Sequence, residues 1–261
     1  MMSEPQPFHR LFGLSWMDFF QGTSVTVETE VDLSLKQQFL DVVIIHTGAD
    51  PIPRRLPDGF EELAAHNLLT FKSHQEALDS WTLLELIGHF VNYRKQSRPA
   101  LNQLRPESDY RLFAVCARFP AGLAGKVALA QLSEGVYEVR ALTLSIRIIV
   151  VSQLPQAEHN AMLHLFSASE ELLQYGQAHY HPYSADTSTL LYQLLREYSE
   201  GSDMTDKLKE FVRRSIDELL ESLPAEKLRE RLSNEERLKG MPAEERLKGM
   251  PAEERLKGLS T

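Results

Sequence analysis

Single charged side chains interrupt two of the most apolar segments of the chain. Asp41 lies inside the run 39–45, which otherwise consists of large apolar and β-branched residues, and Lys72 ends a shorter run of the same kind. A carboxylate inside an apolar strand must find a partner or take part in function. Glu28 and Glu30 lie on the preceding strand-like segment. Carboxylates beside an ammonium are suited to Mg²⁺ chemistry, because this ion prefers oxygen ligands and keeps several waters.

These charges are predicted to lie on three strands between two helices. Residues 25–30 and 39–45 are rich in β-branched and apolar side chains and form a predicted hairpin, and 68–72 is a third strand. Apolar residues at helical spacing within 8–20 predict a helix before the hairpin. The Ser-His-Gln-Glu sequence at 73–76 is a capping box, which predicts that a long helix begins there.

This order, a helix, three strands with Asp41 on the second and Lys72 on the third, and another helix, resembles the core of the PD-(D/E)XK nuclease superfamily. The sequence is more narrowly similar to its recombination-promoting nuclease and transposase-like branch, by pattern over roughly the first two thirds of the chain. In that superfamily an Asp on the second strand and a Glu-X-Lys on the third bind a divalent metal and act on a phosphodiester. The resemblance implies an α/β fold with a restriction-endonuclease-like mixed central sheet flanked by helices.

One position departs from the pattern of the family. Thr70 stands where the superfamily has an acid two residues before the lysine. Glu30 or Glu28 is then expected to supply the second metal-binding carboxylate beside Asp41, as displaced acids do in parts of the superfamily. With Lys72 as the catalytic cation, the resemblance implies an endonuclease that hydrolyses DNA with Mg²⁺, or with Mn²⁺ in its place, and that is linked to transposition or recombination.

Other interpretations stay open. Asp41 and Lys72 can form a structural ion pair between adjacent strands, with both glutamates on a solvated face. Thr70 favours a nuclease fold without catalysis, which binds nucleic acid or protein. A weaker hypothesis is a structural interaction protein whose function lies in the helical C-terminal third.

Composition indicates the class of protein. The chain has 261 residues, of which 43% are hydrophobic and 25% charged, as is usual for a soluble globular protein. No apolar run is long enough to span a bilayer, and the first residues lack the layout of a signal peptide. The single cysteine, Cys116, excludes an internal disulfide and lies in an apolar run where it is expected to pack. We therefore expect a cytoplasmic protein without a membrane partner.

The net charge of −9 argues against a protein that coats nucleic acid generally, because phosphate binding requires a local excess of Lys and Arg. Such an excess occurs at Arg94, Lys95 and Arg98, with Tyr93 beside it. These three basic residues are the predicted contacts to DNA. The alternative is that Arg94 and Lys95 only stabilise the negative pole of a helix dipole.

The predicted long helix has one apolar face. Trp81, Leu84, Ile87 and Val91 recur at three- and four-residue spacings, so this face is expected to pack on the sheet. His89 is then a surface or boundary residue on the polar face.

Two domains are expected, a nuclease-like domain at 1–200 and a helical C-terminal extension at 201–261. Strand-like runs at 110–119, 135–140 and 145–154 extend the predicted sheet. Further helices are predicted at 157–175, at 186–198 and in the amphipathic segment 203–223.

The chain ends in a nine-residue repeat, NEERLKGMP, AEERLKGMP and AEERLKGLS. Each unit favours one short helical turn, which is marginal in water because it has few apolar groups. Such a tail can dock a partner protein, associate with itself in a homo-oligomer, or be a repeat expansion without function.

Overall fold

The computed structural model describes residues 7–32, 39–46, 51–96, 103–184, 190–200 and 209–216. The chain divides into one unit of Met1–Arg214 and a second of Ser215–Thr261. The predicted helix at 203–223 is described only at 209–216, which is helical, and the nine-residue repeats lie outside the described residues. The boundary expected at residue 200 stays a prediction.

A mixed sheet forms the centre of the first unit. Its seven strands within the described residues are β1 Val25–Asp32, β2 Phe39–His46, β3 His66–Lys72, β4 Tyr110–Cys116, β5 Ala130–Ser133, β6 Val136–Ala141 and β7 Leu144–Val150. They lie in the order β1-β2-β3-β4-β7-β6-β5. The pairs β3–β4 and β4–β7 are parallel, and the other four pairs are antiparallel. The prediction of an α/β fold with a mixed central sheet flanked by helices is confirmed.

Besides the helical residues 209–216, the α-helices of the described residues are α1 Pro7–Phe19, α2 Ser80–Gln96, α3 Ala121–Ala124, α4 Ala161–His164, α5 Glu170–His179 and α6 Leu190–Glu200. On one face of the sheet, Phe12 of α1 stacks on Phe71 of β3 with ring centroids 4.4 Å apart. On the other face, Leu86 of α2 packs in one core cluster with Leu68 and Leu112. None of these helices is long and apolar enough to cross a bilayer.

α2 begins at Ser80 and not at the predicted capping box. Asp79 supplies the cap, because its Oδ1 accepts hydrogen bonds from the backbone N–H and the hydroxyl of Thr82, at 2.9 and 3.0 Å. Ser73 and Glu76 instead form a turn after β3, in which the Glu76 N–H donates to the Ser73 carbonyl at 3.1 Å. The Ser-x-x-Glu pattern therefore stabilises a turn here, and Glu76 lies in that turn and not in α2.

The prediction of which face of α2 is buried was wrong. Trp81, Leu84 and Val91 are exposed and His89 is buried, whereas Ile87 is partly buried against the core. The buried residues of α2 are Thr82, Leu83, Leu86, His89, Phe90 and Tyr93. The helix carries two apolar stripes at equivalent spacing, so periodicity alone could not decide which of them meets the sheet.

The single helix predicted at 157–175 is broken in the structure. α4 ends at His164 and α5 begins at Glu170. Between them Ala168 has a positive φ of 54°, and the hydroxyl of Ser167 accepts from the N–H of Ser169 at 3.2 Å. A serine side chain that bonds the nearby backbone competes with helix formation, which explains the break.

Candidate functional site

Asp41 lies where β2 and β3 stop pairing. The last register pair of the two strands is Val42 with Leu69. Beyond it, Oδ2 of Asp41 accepts from the N–H of Phe71 at 2.7 Å and from the hydroxyl of Thr70 at 3.1 Å. The carboxylate thus takes the place of a backbone acceptor, which explains how an acid is tolerated in an apolar strand.

His9 of α1 bridges two carboxylates. Its Nδ1 lies 2.7 Å from Oδ1 of Asp41, and its Nε2 lies 2.9 Å from Oε2 of Glu76. An imidazole donates to two acceptors only when both nitrogens are protonated. Burial lowers the pKa of His9, but the hydrogen bonds and charges of Asp41 and Glu76 outweigh it and raise the pKa to about 9. An imidazolium cation therefore lies between the two acids at neutral pH.

Glu76 connects this histidine to Lys72. Its Oε1 lies 3.4 Å from Lys72 Nζ, and its Oε2 accepts from the backbone N–H and the hydroxyl of Ser73 at 3.3 and 3.1 Å. Burial raises the pKa of Glu76, but His9, Lys72 and the Ser73 N–H outweigh this and lower it to about 2. We call His9, Asp41, Lys72 and Glu76 the charged cluster, which contains two negative and two positive groups.

The elements around the charged cluster hold it in place. The ring of His9 contacts that of Phe71 edge-on at 5.8 Å, so α1 is fixed to β3 beside the site. Lys72 is paired with Cys116 in the parallel β3–β4 ladder, and its carbonyl accepts from the N–H of Ala117 at 3.0 Å. Both the helix and the strand that supply the cations are therefore anchored in the core.

The structure describes the side chain of Glu28 but only the backbone of Glu30. Glu28 is exposed, is paired with Val43, and contributes to the raised pKa of Tyr93 in the last turn of α2, after burial as the main cause. The backbone of Glu30 lies in β1 between the residues paired with Val42 and Leu40, next to Asp41 in the sheet. Its side chain lies outside the description. Within the described residues, no hydrogen bond or ion pair joins Glu28 to the charged cluster.

The two predicted DNA contacts that the structure describes, Arg94 and Lys95, lie in the last turn of α2. Nδ1 of His66 lies 3.0 Å from the hydroxyl of Tyr93, which joins the last turn of α2 to the first residue of β3. Lys72 is at the far end of that strand, about 20 Å away at 3.3 Å per residue. Arg94 donates from Nε and Nη2 to the Arg105 carbonyl at 2.9 and 2.6 Å, and Lys95 is exposed. Arg98 lies outside the described residues.

The charged cluster contains two carboxylates, the ligand type that Mg²⁺ prefers. Mg²⁺ is commonly held by one or two carboxylates together with waters. Asp41 and Glu76 are two such carboxylates, each already in contact with a common cationic group, the His9 ring. In the described part of the chain no three His, Cys, Asp or Glu side chains are arranged to hold a metal ion. A metal held by both acids would require that His9 withdraw and that the two carboxylates move towards each other, because the imidazole ring now separates them.

Two members of the charged cluster were not predicted as site residues. Glu76 was assigned to a helix cap, although its position four residues after Lys72 is a signal for an ion pair. His9 lies between Phe8 and Arg10 in α1 and carries no motif.

Comparisons of the chain with protein-family models, curated proteins and solved structures find no match.

Proposed function

We propose that this chain is a nuclease-fold phosphodiesterase that hydrolyses DNA with Mg²⁺ or Mn²⁺ at the charged cluster. The observation that supports it most is the convergence of Asp41 from β2, Lys72 from the end of β3 and Glu76 from the following turn. In this proposal Glu76 supplies the second carboxylate, since Thr70 is a hydroxyl. The order α1-β1-β2-β3-α2-β4 agrees with the core that the resemblance implies.

Each residue of the site has a role that follows from its contacts. Thr70 and the Phe71 N–H hold Oδ2 of Asp41, so that Oδ1 faces the position of the His9 ring. Lys72 Nζ can bind a phosphate oxygen and offset charge that develops on it. When bound, a divalent metal supplies Lewis-acid polarisation of the phosphate and an activated water. A link to transposition or recombination rests on the family resemblance.

A second candidate function is a nuclease fold without catalysis that binds nucleic acid or protein. His9 favours this candidate, because its imidazolium already balances Asp41 and Glu76. Thr70 favours it as well, because it donates to Asp41 and provides no third carboxylate. In this case His9 permanently replaces the metal.

Plasmid nicking tests the first candidate. Supercoiled DNA is incubated with Mg²⁺ or Mn²⁺ and the wild type, Asp41→Asn, Lys72→Met or Glu76→Gln. We expect each substitution to reduce nicking about 100-fold, because each removes a charge that acts on the phosphate or the metal. Asp58→Asn, which alters a carboxylate outside the cluster, is the matched control and retains activity. Unchanged nicking by Asp41→Asn and Lys72→Met contradicts the assignment of the site.

Isothermal titration of Mn²⁺ separates the two candidates. If the first is right, His9→Gln binds Mn²⁺ more tightly than the wild type, because the competing cation is gone. If wild type and His9→Gln neither bind Mn²⁺ nor cut DNA, yet either binds a DNA duplex saturably, the second candidate is supported.

A further inference from the structure

α2 carries an apolar stripe on the side that faces away from the sheet. Trp81 is 64% exposed, Leu84 59% and Val91 40%. Gly88 lies between them, and a Cβ atom added there would meet no atom within 4 Å. Lys95, also exposed, continues the stripe at the end of the helix. Contiguous exposed apolar surface of this kind marks interaction sites more often than isolated exposed residues do.

The spacing of this stripe is that of a helix-pairing seam. Its members follow one another at intervals of three, four, three and four residues, as the a and d positions of a heptad repeat do. The opposite side of α2 is buried on the sheet, so α2 cannot turn to hide the stripe. The partner that fits this surface is another helix with a matching apolar stripe.

We propose that this partner is α2 of a second copy of the chain, packed antiparallel with Gly88 at the crossing point. A two-fold symmetric contact of this kind is self-complementary, so the same stripe serves both copies. Glycine at the centre lets the two backbones approach closely. The proposal goes beyond the proposed nuclease function and does not depend on it.

The charges at the two ends of the stripe select the antiparallel arrangement. Trp81 and Lys95 are both seven residues from Gly88, so antiparallel pairing sets the ammonium of one copy against the indole of the other. Asp79, exposed just before Trp81, then lies near the same ammonium. Ammonium groups are attracted to indole faces and to carboxylates. A parallel arrangement would set Lys95 against Lys95.

The size of the stripe indicates a weak dimer. From Trp81 to Lys95 it extends about 21 Å at 1.5 Å per residue. One helix pair of this length lies at the low end of specific interfaces, with less than about 1,200 Å² of total buried surface. We therefore expect a monomer–dimer equilibrium that depends on protein concentration in the micromolar range.

Cross-linking of the full chain tests the crossing point. Cys116 is buried, and burial raises the pKa of its thiol to about 12, so Gly88→Cys introduces the single reactive thiol. We expect copper-phenanthroline oxidation to give a disulfide-linked dimer whose yield rises and saturates with protein concentration. Gly122→Cys in α3 is the control, because a Cβ at Gly122 also meets no atom within 4 Å. Equal yields at the two positions, or none at position 88, overturn the proposal.

Charge exchange tests the orientation. By analytical ultracentrifugation we expect Trp81→Lys to weaken the dimer of the full chain about tenfold, since it replaces the aromatic contact at the end of the stripe with repulsion from Lys95 of the second copy. Adding Lys95→Glu should recover part of the loss, because antiparallel pairing sets the two new charges opposite each other. Circular dichroism checks that both variants are folded. Dimerisation that Trp81→Lys leaves unchanged overturns the proposal and directs attention to the C-terminal repeats.

Discussion

Two histidine–aspartate pairs join distant segments of this chain, and they differ in what balances the aspartate. In the charged cluster, Nδ1 of His9 lies 2.7 Å from Oδ1 of Asp41. In the second pair, Nε2 of His159 lies 2.8 Å from Oδ1 of Asp58. The two distances are almost the same, so the histidine contact alone does not distinguish the pairs.

The Asp58 pair is completed by an amide. Oδ2 of Asp58 accepts from Nδ2 of Asn160 at 2.8 Å, and the N–H of Asp58 donates to Oδ1 of Asn160 at 2.9 Å. Burial raises the pKa of Asp58, but bonds from Asn160 and His159 and the charge of Arg55 outweigh it and lower the pKa. Asp58, held by an amide and a histidine, therefore links the loop before β3 to the 3₁₀ helix at 158–160.

The charged cluster has a second carboxylate instead of the amide. Asp41 and Glu76 share one imidazole, with Lys72 beside Glu76, and the side chains are 14–22% exposed. Two acids that converge on one cation remain together only while that position is positively charged. The comparison therefore identifies the second carboxylate as the feature that separates a candidate cation site from a structural pair.

Removal of the histidine should give the largest difference between the pairs. We expect His9→Ala to lower the free energy of unfolding by about 3 kcal/mol, because it leaves two partly buried carboxylates facing each other. His159→Ala should cost only about 1 kcal/mol, since Asp58 keeps Asn160. Urea denaturation measures both. In a Glu76→Gln background the cost of His9→Ala should fall; equal costs with and without Glu76 would show that the two acids are not coupled through His9.

The pH dependence of stability should show the same difference. The folded-state pKa of His9 is about 9 and its ordinary value 6.5, so its contribution is complete below pH 6.5 and is lost as pH rises through 9. We expect the free energy of unfolding to fall by up to about 3 kcal/mol over that range. The contribution of Glu76, with a pKa of about 2 against 4.5, is present above pH 4.5 and is lost as pH falls through 2.

Single-site variants assign this alkaline loss of stability. His9→Gln should remove it, while His159→Gln should leave it in place. The reverse pattern would transfer the titration to the Asp58 pair and refute the assignment to His9. Thermal denaturation at fixed ionic strength, from pH 5 to about 9.5, covers the range over which His9 loses its proton.

Local patterns were enough to predict the first half of the fold. The apolar and β-branched runs of β1, β2 and β3 predicted strands that the structure contains, because such side chains fit a half-buried pleated surface. The buried face of α2 could not be predicted in this way, because packing on the sheet decides between two equally spaced apolar stripes. The start of α2 has a local signal in the cap residue Asp79, but the Ser-x-x-Glu pattern at 73–76 predicted an earlier start.

The residues of the charged cluster also differ in how far the sequence could predict them. Asp41 and Lys72 could be singled out because each interrupts an apolar strand. Glu76 had only the weak signal of its position four residues after Lys72. His9 could not be singled out, because it meets Glu76 across 67 positions of sequence only after α1 has packed on β3. Contacts of such long range leave no local signal. The catalytic and metal-binding roles of Asp41, Glu28, Glu30 and Lys72 stay predictions.

An acid at position 70 should sharpen the comparison by adding a third carboxylate. Thr70 is buried beside Asp41, so Thr70→Glu is expected to lower the free energy of unfolding by about 2 kcal/mol without metal, through repulsion between like charges. Millimolar Mg²⁺ should restore part of this loss, because a ligand that binds only the folded state stabilises it. Thr70→Gln has the same bulk without the charge and should show no response to Mg²⁺ in thermal denaturation. A response of equal size in both variants would place the Mg²⁺ elsewhere.

Removal of the Thr70 hydroxyl should give the smallest effect. Thr70→Val deletes the 3.1 Å bond to Oδ2 of Asp41 but keeps the shape of the side chain and the 2.7 Å bond from the Phe71 N–H. Because Asp41 is left with the Phe71 and His9 donors, we expect a loss of only about 1 kcal/mol in urea denaturation, and Thr70→Ser should recover it. A loss near that of His9→Ala would mean that the hydroxyl does for Asp41 what Asn160 does for Asp58. The two pairs would then be balanced alike, and the second carboxylate would no longer set the charged cluster apart.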